Sequence, residues 1–289
     1  MMIKNKDTAI AIIPYGKWKA FNLSALDLNT LEWPLGRPKR LMKGTIGNML
    51  ATDYLITFPR KSVFFFPRFK IKPSISLMIV EPDINHKLNI FLAGFFNKRF
   101  YRIMTKNHNL LNKINNGSFF YLGSTFIKNF NQIDTNKSQL ASIIASKKYK
   151  LEGHKLRHSV IKEIHDLKLN ISILGRGYKP FKNKEDGLKS FMYSVIIENV
   201  KEKDYFTEKI VDSCLCNTVP IYWGAPNISD YFDHRGMIIC SNESDIINAL
   251  KTISIDDYQS KLKWIKKNKV NAINHADLFV RASEIISKL

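Results

Sequence analysis

The sequence predicts an α/β protein in which two α/β domains, each built on a parallel sheet, face each other across a cleft. Apolar runs without alternation, such as Phe191–Ile197, are typical of strands covered on both faces. Stretches with helical periodicity lie between such runs. A polar, Asn-rich stretch at 128–137 separates two series of strands and is the candidate linker. We therefore expect an amino-terminal domain at 1–130 and a carboxy-terminal domain with terminal helices at 131–289.

The first half of the chain alternates apolar runs with basic connectors that are rich in proline and glycine. These runs are short and rich in β-branched or aromatic residues, as strands are. The predicted strands of the amino-terminal domain are 9–13, 53–58, 75–80 and 101–105.

The second half reads as strands that alternate with helices. A helix is predicted from about Tyr205, with Asp204 as its N-cap and an apolar stripe at Ile210, Val211, Cys214 and Leu215. The other predicted elements are strands at 142–145, 170–174, Phe191–Ile197, 218–223 and 237–240, and a helix at 154–167. Short crossovers between such strands make the sheet parallel.

Charged and amide side chains follow the strand Phe191–Ile197. Glu198 and Asn199 come directly after it, and Glu208 and Lys209 fall in the first turns of the next helix, off its apolar stripe. The carboxyl edge of an open parallel sheet is where α/β proteins bind ligands. The helix amino end and Lys209 suit a diphosphate, and a carboxylate such as Glu208 can accept both hydroxyls of a ribose.

Two arginines follow neighbouring strands toward the same edge. Arg176 is bracketed by Gly175 and Gly177, which allow the backbone to approach a ligand closely. Arg157 lies on the helix predicted at 154–167, where it either reaches a diphosphate or forms its own ion pairs. Three cations, Arg157, Arg176 and Lys209, are thus candidates for one anionic ligand.

The motifs of this region resemble those of the α1,3/4-fucosyltransferases of glycosyltransferase family 10. The resemblance rests on Phe191 to Asn199 in looser register, on Asp204-Tyr-Phe-Thr-Glu-Lys209, and on Val219-Pro-Ile-Tyr-Trp-Gly224. It is clearest over 142–250 and faint over the first 130 residues. Where the family commonly has Ser after the Glu-Asn pair, this chain has Val200.

The resemblance implies the GT-B arrangement of two Rossmann-like domains and an inverting transfer of L-fucose from GDP-fucose to a glycan hydroxyl. Lys209 and Arg176 would neutralise the diphosphate, Glu208 would hold the ribose, and Asn199 and Tyr205 would line the donor pocket. Tyr205 could instead pack under its loop. Glu198 is a further donor-binding candidate that could instead cap local backbone N–H groups.

Inversion needs a base on the face of the sugar opposite the leaving group, and Glu81 is the predicted base. It ends the strand predicted at 75–80, and Pro82 fixes an extended exit. Asp83 and His86 in the same loop are its rivals, and a plain ion pair between Glu81 and a lysine is the structural alternative.

Neither a metal nor a cofactor is expected. The chain contains no Asp-x-Asp pair, the element that metal-dependent GT-A transferases typically use. His154 and His158 stand four residues apart without the Glu of a zinc protease, and Cys214 and Cys216 fit a buried helix edge better than a ligand pair.

The net charge of +20 has three interpretations. It reflects a Lys-rich composition, a nucleic-acid partner, or an anionic membrane face. Scattered lysines without a recognised motif disfavour nucleic acid. A cluster at Lys261, Lys263, Lys266, Lys267 and Lys269, around Trp264 and Ile265, is either a membrane-facing surface or a solvated helix face.

Three cysteines and the lack of a long apolar run predict a reduced, cytoplasmic protein, peripheral to a membrane at most. The expected partners are a nucleotide sugar and a glycan acceptor, without nucleic acid. A transferase of the same build with another nucleotide sugar, and a basic nucleic-acid-binding protein, are the alternative functions.

Overall fold

The computed structural model describes residues 7–16, 22–68 and 70–288 and confirms an α/β protein with two parallel sheets. The chain divides into two compact units, one running to Tyr121 and including the last helix, the other spanning Leu122–Asp277. The expected boundary at 130 and 131 therefore lies inside the second unit. The parts of the expected first domain at 1–6, 17–21 and 69 lie outside the described residues.

The first unit is built on a five-stranded parallel sheet in the order β1-β2-β3-β4-β5. All four strands predicted in this half are present, and every observed bound lies within two residues of its predicted position. The fifth, β5, was not predicted. The strands are β1 (Ile10–Ile12), β2 (Tyr54–Thr57), β3 (Ser74–Ile79), β4 (Ile103–Thr105) and β5 (Gly117–Phe119).

Three helices connect the strands of this sheet: α1 (Lys61–Phe65), α2 (Asp83–Phe95) and α3 (His108–Leu111). Pro82 occupies the N-cap of α2, directly after the turn that follows β3. Ala11, Leu55 and Leu77 are completely buried in the apolar core that the sheet shares with the helices.

The second unit contains a five-stranded parallel sheet in the order β10-β9-β8-β6-β7. Its strands are β6 (Gln139–Ile144), β7 (Ser172–Leu174), β8 (Phe191–Ile197), β9 (Val219–Trp223) and β10 (Ile238–Ile239). The chain leaves β6 to form β7 on one side and then crosses to form β8 on the other. The carboxyl ends of β6 and β8 therefore flank a topological switch point, the usual ligand site of such sheets.

Four helices cover this sheet: α4 (Glu152–Asp166), α5 (Glu208–Leu215), α6 (Glu243–Thr252) and α7 (Ile255–Ala276). The predicted apolar stripe of α5 is buried. The predicted N-cap is wrong, because Thr207 caps α5 and the helix begins at Glu208. Asp204 has a left-handed φ of 59° and binds Asn227 and Tyr231 instead, which leaves 205 and 206 to enter the core before the helix starts.

The last helix, α8 (Leu278–Ser287), packs against β1 and β2 of the first unit. Ala282 and Ile286 are completely buried there, and the ring of Phe279 lies 6.4 Å from that of Phe58. The chain thus ends in the unit in which it began, whereas the sequence had placed all terminal helices in the second domain.

The basic cluster predicted on α7 takes part in packing and in ion pairs of the second unit. Ile265 is part of the core, and the guanidinium of Arg235 covers Trp264 at 3.3 Å from the ring centroid. Lys261 and Lys267 form ion pairs with Asp257 and Asp233. Among the described helices, none is long and apolar enough to cross a bilayer.

Candidate functional site

A pocket of about 460 Å³ lies at the carboxyl ends of β6, β7 and β8 in the second unit. Its floor is formed by Ile144, Ala145 and Ser146 after β6 and by 195–197 at the end of β8. The pocket therefore occupies the topological switch point, where loops from several strands converge on one ligand.

Positive charge dominates the wall of this pocket. Six cationic side chains line it, and no Asp or Glu is among the described residues that do so. In a cleft with apolar walls, such a set raises the local concentration of an anionic ligand. The six are Lys148, Arg157, Arg176, Lys182, Lys184 and Lys209.

Two glycines let the backbone close around the pocket. Gly175 has φ +116°, and a Cβ there would lie 2.0 Å from the carbonyl oxygen of Ala145. Gly153, in the first turn of α4, packs on the backbone after β8, where a Cβ would lie 1.7 Å from the carbonyl oxygen of Glu198. The turn that carries Arg176 and the start of α4 can therefore approach β6 and β8 only with glycine at these positions.

Thr207 organises the amino end of α5. Its hydroxyl accepts the backbone N–H of Lys209 at 3.3 Å and donates to the carboxylate of Glu198 at 2.8 Å. The backbone N–H of Thr207 donates to the other oxygen of Glu198, also at 2.8 Å. The ammonium of Lys209 then bridges the Thr207 hydroxyl at 2.9 Å and Glu198 at 3.3 Å. This network fixes the ammonium of Lys209 beside the helix amino end.

The charges of this network stabilise one another. Burial alone would lower the pKa of Lys209, but Glu198 and Glu208 outweigh it and raise that pKa above its ordinary value. Burial alone would raise the pKa of Glu208, but the charges of Lys209 and Lys184 bring that pKa below its ordinary value. Both side chains are therefore ionised at neutral pH.

Arg157 is buried on α4 and already holds protein acceptors. Its guanidinium donates to the backbone carbonyl of Ile197 at 2.9 and 3.1 Å and to the side-chain oxygen of Asn199 at 2.9 Å. Burial lowers its pKa, while Glu198 and Glu208 oppose that shift. Arg157 thus both lines the pocket and fixes the loop that follows β8.

The predicted donor-binding residues come together around α5, but at different depths. Arg157, Arg176 and Lys209 line the pocket. Asn199 and Glu208 are half-buried beside it, whereas Glu198 and Tyr205 are completely buried. The contacts of Glu198 with Thr207 give it the capping role that the sequence had left as the alternative to donor contact.

Three cations of the pocket, Lys148, Lys182 and Lys184, were missed from the sequence. The signal was present, because each lies in a loop that follows β6 or β7 toward the carboxyl edge of the sheet. In a chain with 45 Lys and Arg residues, these three do not stand out by composition.

A buried carboxylate, that of Asp212, lies one turn along α5 from Glu208. Asp212 accepts the hydroxyl of Thr125 at 2.5 Å and the backbone N–H of Phe126 at 3.1 Å, and its second oxygen has no partner among the described residues. Burial raises the pKa of Asp212 to about 7. Phe126 lines the pocket and is 65% exposed, so Asp212 holds the backbone of a residue whose ring lies at the pocket's edge.

Glu81 lies in the first unit, two residues after the end of β3, the central strand of that sheet. Its side chain is exposed, and Pro82 holds the exit of the strand extended at φ −52° and ψ 139°. Its rivals are engaged locally: Asp83 pairs with Lys106 at 2.9 Å, and the ring of His86 contacts the amide of Asn89 at 2.7 Å. Glu81 therefore has the strand-end position that the sequence predicts.

Comparison with known proteins gives a family and a fold. The model of glycosyltransferase family 10 (fucosyltransferase), C-terminal part, matches residues 134–285, more than half of the chain. The α-(1,3)-fucosyltransferase FucT of Helicobacter pylori is 35% identical over 98 residues, which are 32% of this chain and 20% of that protein. The match thus spans about a fifth of the length of that curated relative.

Two solved structures share the fold. The crystal structure of an α1,3-fucosyltransferase with GDP-fucose aligns over 96% of this chain and 95% of its own, with a TM-score of 0.52 and 16% identity. The crystal structure of TarM aligns over 82% of this chain and 55% of its own, with a TM-score of 0.57 and 14% identity. At these identities the likeness shows the fold, which is of the GT-B type.

Proposed function

This chain belongs to glycosyltransferase family 10, and from that premise we propose that it is an inverting fucosyltransferase. It transfers L-fucose from GDP-fucose to a hydroxyl of a glycan acceptor, with the 3-hydroxyl of N-acetylglucosamine or glucose as the expected position. The observation that carries the proposal is the pocket at the switch point, lined by six cations and by no described carboxylate. Such a pocket suits a diphosphate better than a neutral or cationic ligand.

In this proposal the cations stabilise the leaving group. As the bond between fucose and diphosphate breaks, negative charge develops on the departing GDP. Lys209 sits at the amino end of α5, where backbone N–H groups add partial positive charge, and Arg176 approaches from the turn after β7. Together they supply the charge that a divalent cation supplies in metal-dependent transferases, so we propose a reaction without a bound metal or cofactor.

The ribose and the rest of the donor would be held beside the diphosphate. Glu208 is ionised and half-buried at the first residue of α5, and its carboxylate can accept both hydroxyls of a ribose. Asn199 is oriented by Arg157 and can donate its amide N–H groups to a phosphate or sugar oxygen. Tyr205 is completely buried, so it would support the donor-binding loop from beneath.

Glu81 is the proposed base. It would take the proton of the acceptor hydroxyl as that oxygen attacks the anomeric carbon of fucose, while the electron pair of the breaking bond leaves with GDP. The configuration at that carbon would invert. An exposed carboxylate at the end of a central strand is suited to this role, because a base must be able to reach its substrate.

Two measurements test the proposal. Calorimetry with GDP, UDP and ADP is expected to show the tightest binding for GDP, and incubation with GDP-fucose and galactose- or N-acetylglucosamine-bearing acceptors should give a product heavier by one fucose. Turnover is expected to persist in a chelator. A preference for UDP would instead support a transferase with another nucleotide sugar, and salt-sensitive duplex binding that ignores GDP would support a nucleic-acid-binding protein.

A further inference from the structure

The helix α2 presents an apolar stripe to solvent. Ile84, Leu88, Phe91 and Phe95 are 57%, 56%, 69% and 75% exposed. At 100° per residue these four positions fall within about 60° of one another around the helix axis. Ala93, which is completely buried, lies on the other side of the helix. An amphipathic helix normally buries its apolar stripe, and α2 carries a second one that faces water.

The stripe continues onto neighbouring elements. The ring of Phe96 connects Phe95, at 4.8 Å between centroids, with Phe65 of α1, at 5.4 Å. Phe65 is itself 55% exposed. On the other flank an apolar hollow of about 380 Å³ separates α2 from α3, with Phe91 and Phe95 on its wall and Lys113 at its edge. Contiguous exposed apolar surface of this kind marks an interaction site in a soluble domain. We call these exposed side chains, Phe65, Ile84, Leu88, Phe91 and Phe95, the α2 surface.

The stretch of chain that carries the α2 surface is rich in positive charge. Residues 54–121 contain eleven Lys and Arg residues and only two carboxylates, Glu81 and Asp83. Asp83 is already paired with Lys106. Lys87 on α2 itself and Lys98 just beyond its end are exposed, as is Lys113. The apolar stripe is thus bordered by exposed lysines on the side where it meets water.

We infer that the α2 surface docks this protein onto an anionic lipid surface. Large apolar side chains enter the boundary between headgroups and acyl chains, while lysines at the rim contact anionic headgroups. A second protein chain would also cover the apolar side chains, but the exposed lysines at the rim, Lys87, Lys98 and Lys113, would make two copies of this surface repel each other. This inference is independent of the proposed transfer reaction, because it uses none of the residues assigned to it.

Flotation of the full chain with vesicles tests the inference. Binding is expected to vesicles in which a third of the lipid is phosphatidylglycerol, weakly or not at all to vesicles of phosphatidylcholine alone, and to fall as salt is added. The triple variant Leu88→Gln, Phe91→Gln, Phe95→Gln is expected to lower the partition coefficient by about a hundredfold or more, because each loses a large buried apolar side chain at the interface.

A matched control comes from α7, where Ile255, Val270 and Ile273 are 57%, 60% and 41% exposed. The triple change of these to Gln should leave vesicle binding unaltered. Circular dichroism and GDP binding check that both variants are folded. The inference is overturned if the wild type does not float with anionic vesicles, or if the two triple variants bind alike. Sedimentation without lipid tests whether a second copy of the chain binds this surface instead. A dimer that the α2 changes abolish would assign the surface to that second copy and overturn the inference.

Discussion

Replacing Thr207 with Val would remove the hydroxyl that joins α5 to the end of β8. The side chain keeps its shape but loses three hydrogen bonds: from the Lys209 backbone N–H at 3.3 Å, from the Lys209 ammonium at 2.9 Å, and to Glu198 at 2.8 Å. The carboxylate of Glu198 is completely buried, so water cannot take the place of the lost donor.

The expected loss of stability follows from these contacts. Removal of an N-cap costs about 1 kcal/mol, and the loss of a donor to a buried charged acceptor costs about 1.5 to 3 kcal/mol. The free energy of unfolding should therefore fall by about 2.5 to 4 kcal/mol, as measured by urea denaturation. GDP affinity should fall with it, because the ammonium of Lys209 loses one of the three acceptors that orient it and keeps only Glu198 and Glu208.

The variant Thr207→Ser is the matched control, since it keeps the hydroxyl and loses only a methyl group. It should unfold within about 1 kcal/mol of the wild type, as expected for one methylene-sized group. The account of this network is refuted if Val and Ser unfold alike, or if Val leaves the urea midpoint unchanged.

Three further predictions concern the pocket, the base and a buried acid. Arg176→Ala should weaken GDP binding in calorimetry by about tenfold to a hundredfold, because one charge-assisted contact is lost. The control Lys179→Ala lies in the same loop but outside the pocket lining and should leave GDP affinity unchanged. Equal effects of the two changes would contradict a specific role for Arg176. Glu81→Gln should lower turnover by roughly 10² to 10⁴ with GDP affinity unchanged, and near-wild-type turnover would move the role to a neighbour. The folded-state pKa of Asp212 is raised to about 7, so the stability it contributes is present below about pH 4 and is lost as the pH rises to about 7. Asp212→Asn should remove this decline in urea unfolding between about pH 4 and 7, and a decline that persists would assign it to another group.

Buried strands could be predicted from the sequence, and short exposed strands could not. Strands covered on both faces, such as Phe191–Ile197, have long apolar runs, and the predicted bounds of that strand agree with the structure. The strand β5 was missed because Gly117–Phe119 is three residues long and none of the three is buried, so it has neither an apolar run nor an alternating pattern. A short edge strand is defined by its hydrogen bonds to the adjacent strand, and a single sequence does not show which strands pair.

The start of α5 shows why helix bounds are harder to predict than helix existence. Asp204 and Thr207 are both good N-caps, and the choice between them depends on tertiary contacts. Burial of 205 and 206 and the contact of Thr207 with Glu198 decide it in favour of Thr207. In the same way, the sequence predicts helices at the end of the chain but does not say against which sheet the last of them packs.

The sequence predicted which residues meet at the candidate site but not how deeply each of them is buried. The order of strand, loop and helix was enough to bring Arg157, Arg176 and Lys209 to one pocket. It could not show that Glu198 lies beneath the surface, because burial of a carboxylate depends on which donors surround it. It could not separate Lys182 and Lys184 from other lysines either, since only their position at the carboxyl edge distinguishes them.

The central claim is that the cationic pocket of the second unit binds the diphosphate of the donor. A crystal structure of the protein with GDP tests this most directly. We expect the diphosphate within hydrogen-bond distance of Lys209 and Arg176 and the ribose hydroxyls on Glu208. A diphosphate bound elsewhere, with this pocket containing only water, would contradict the claim.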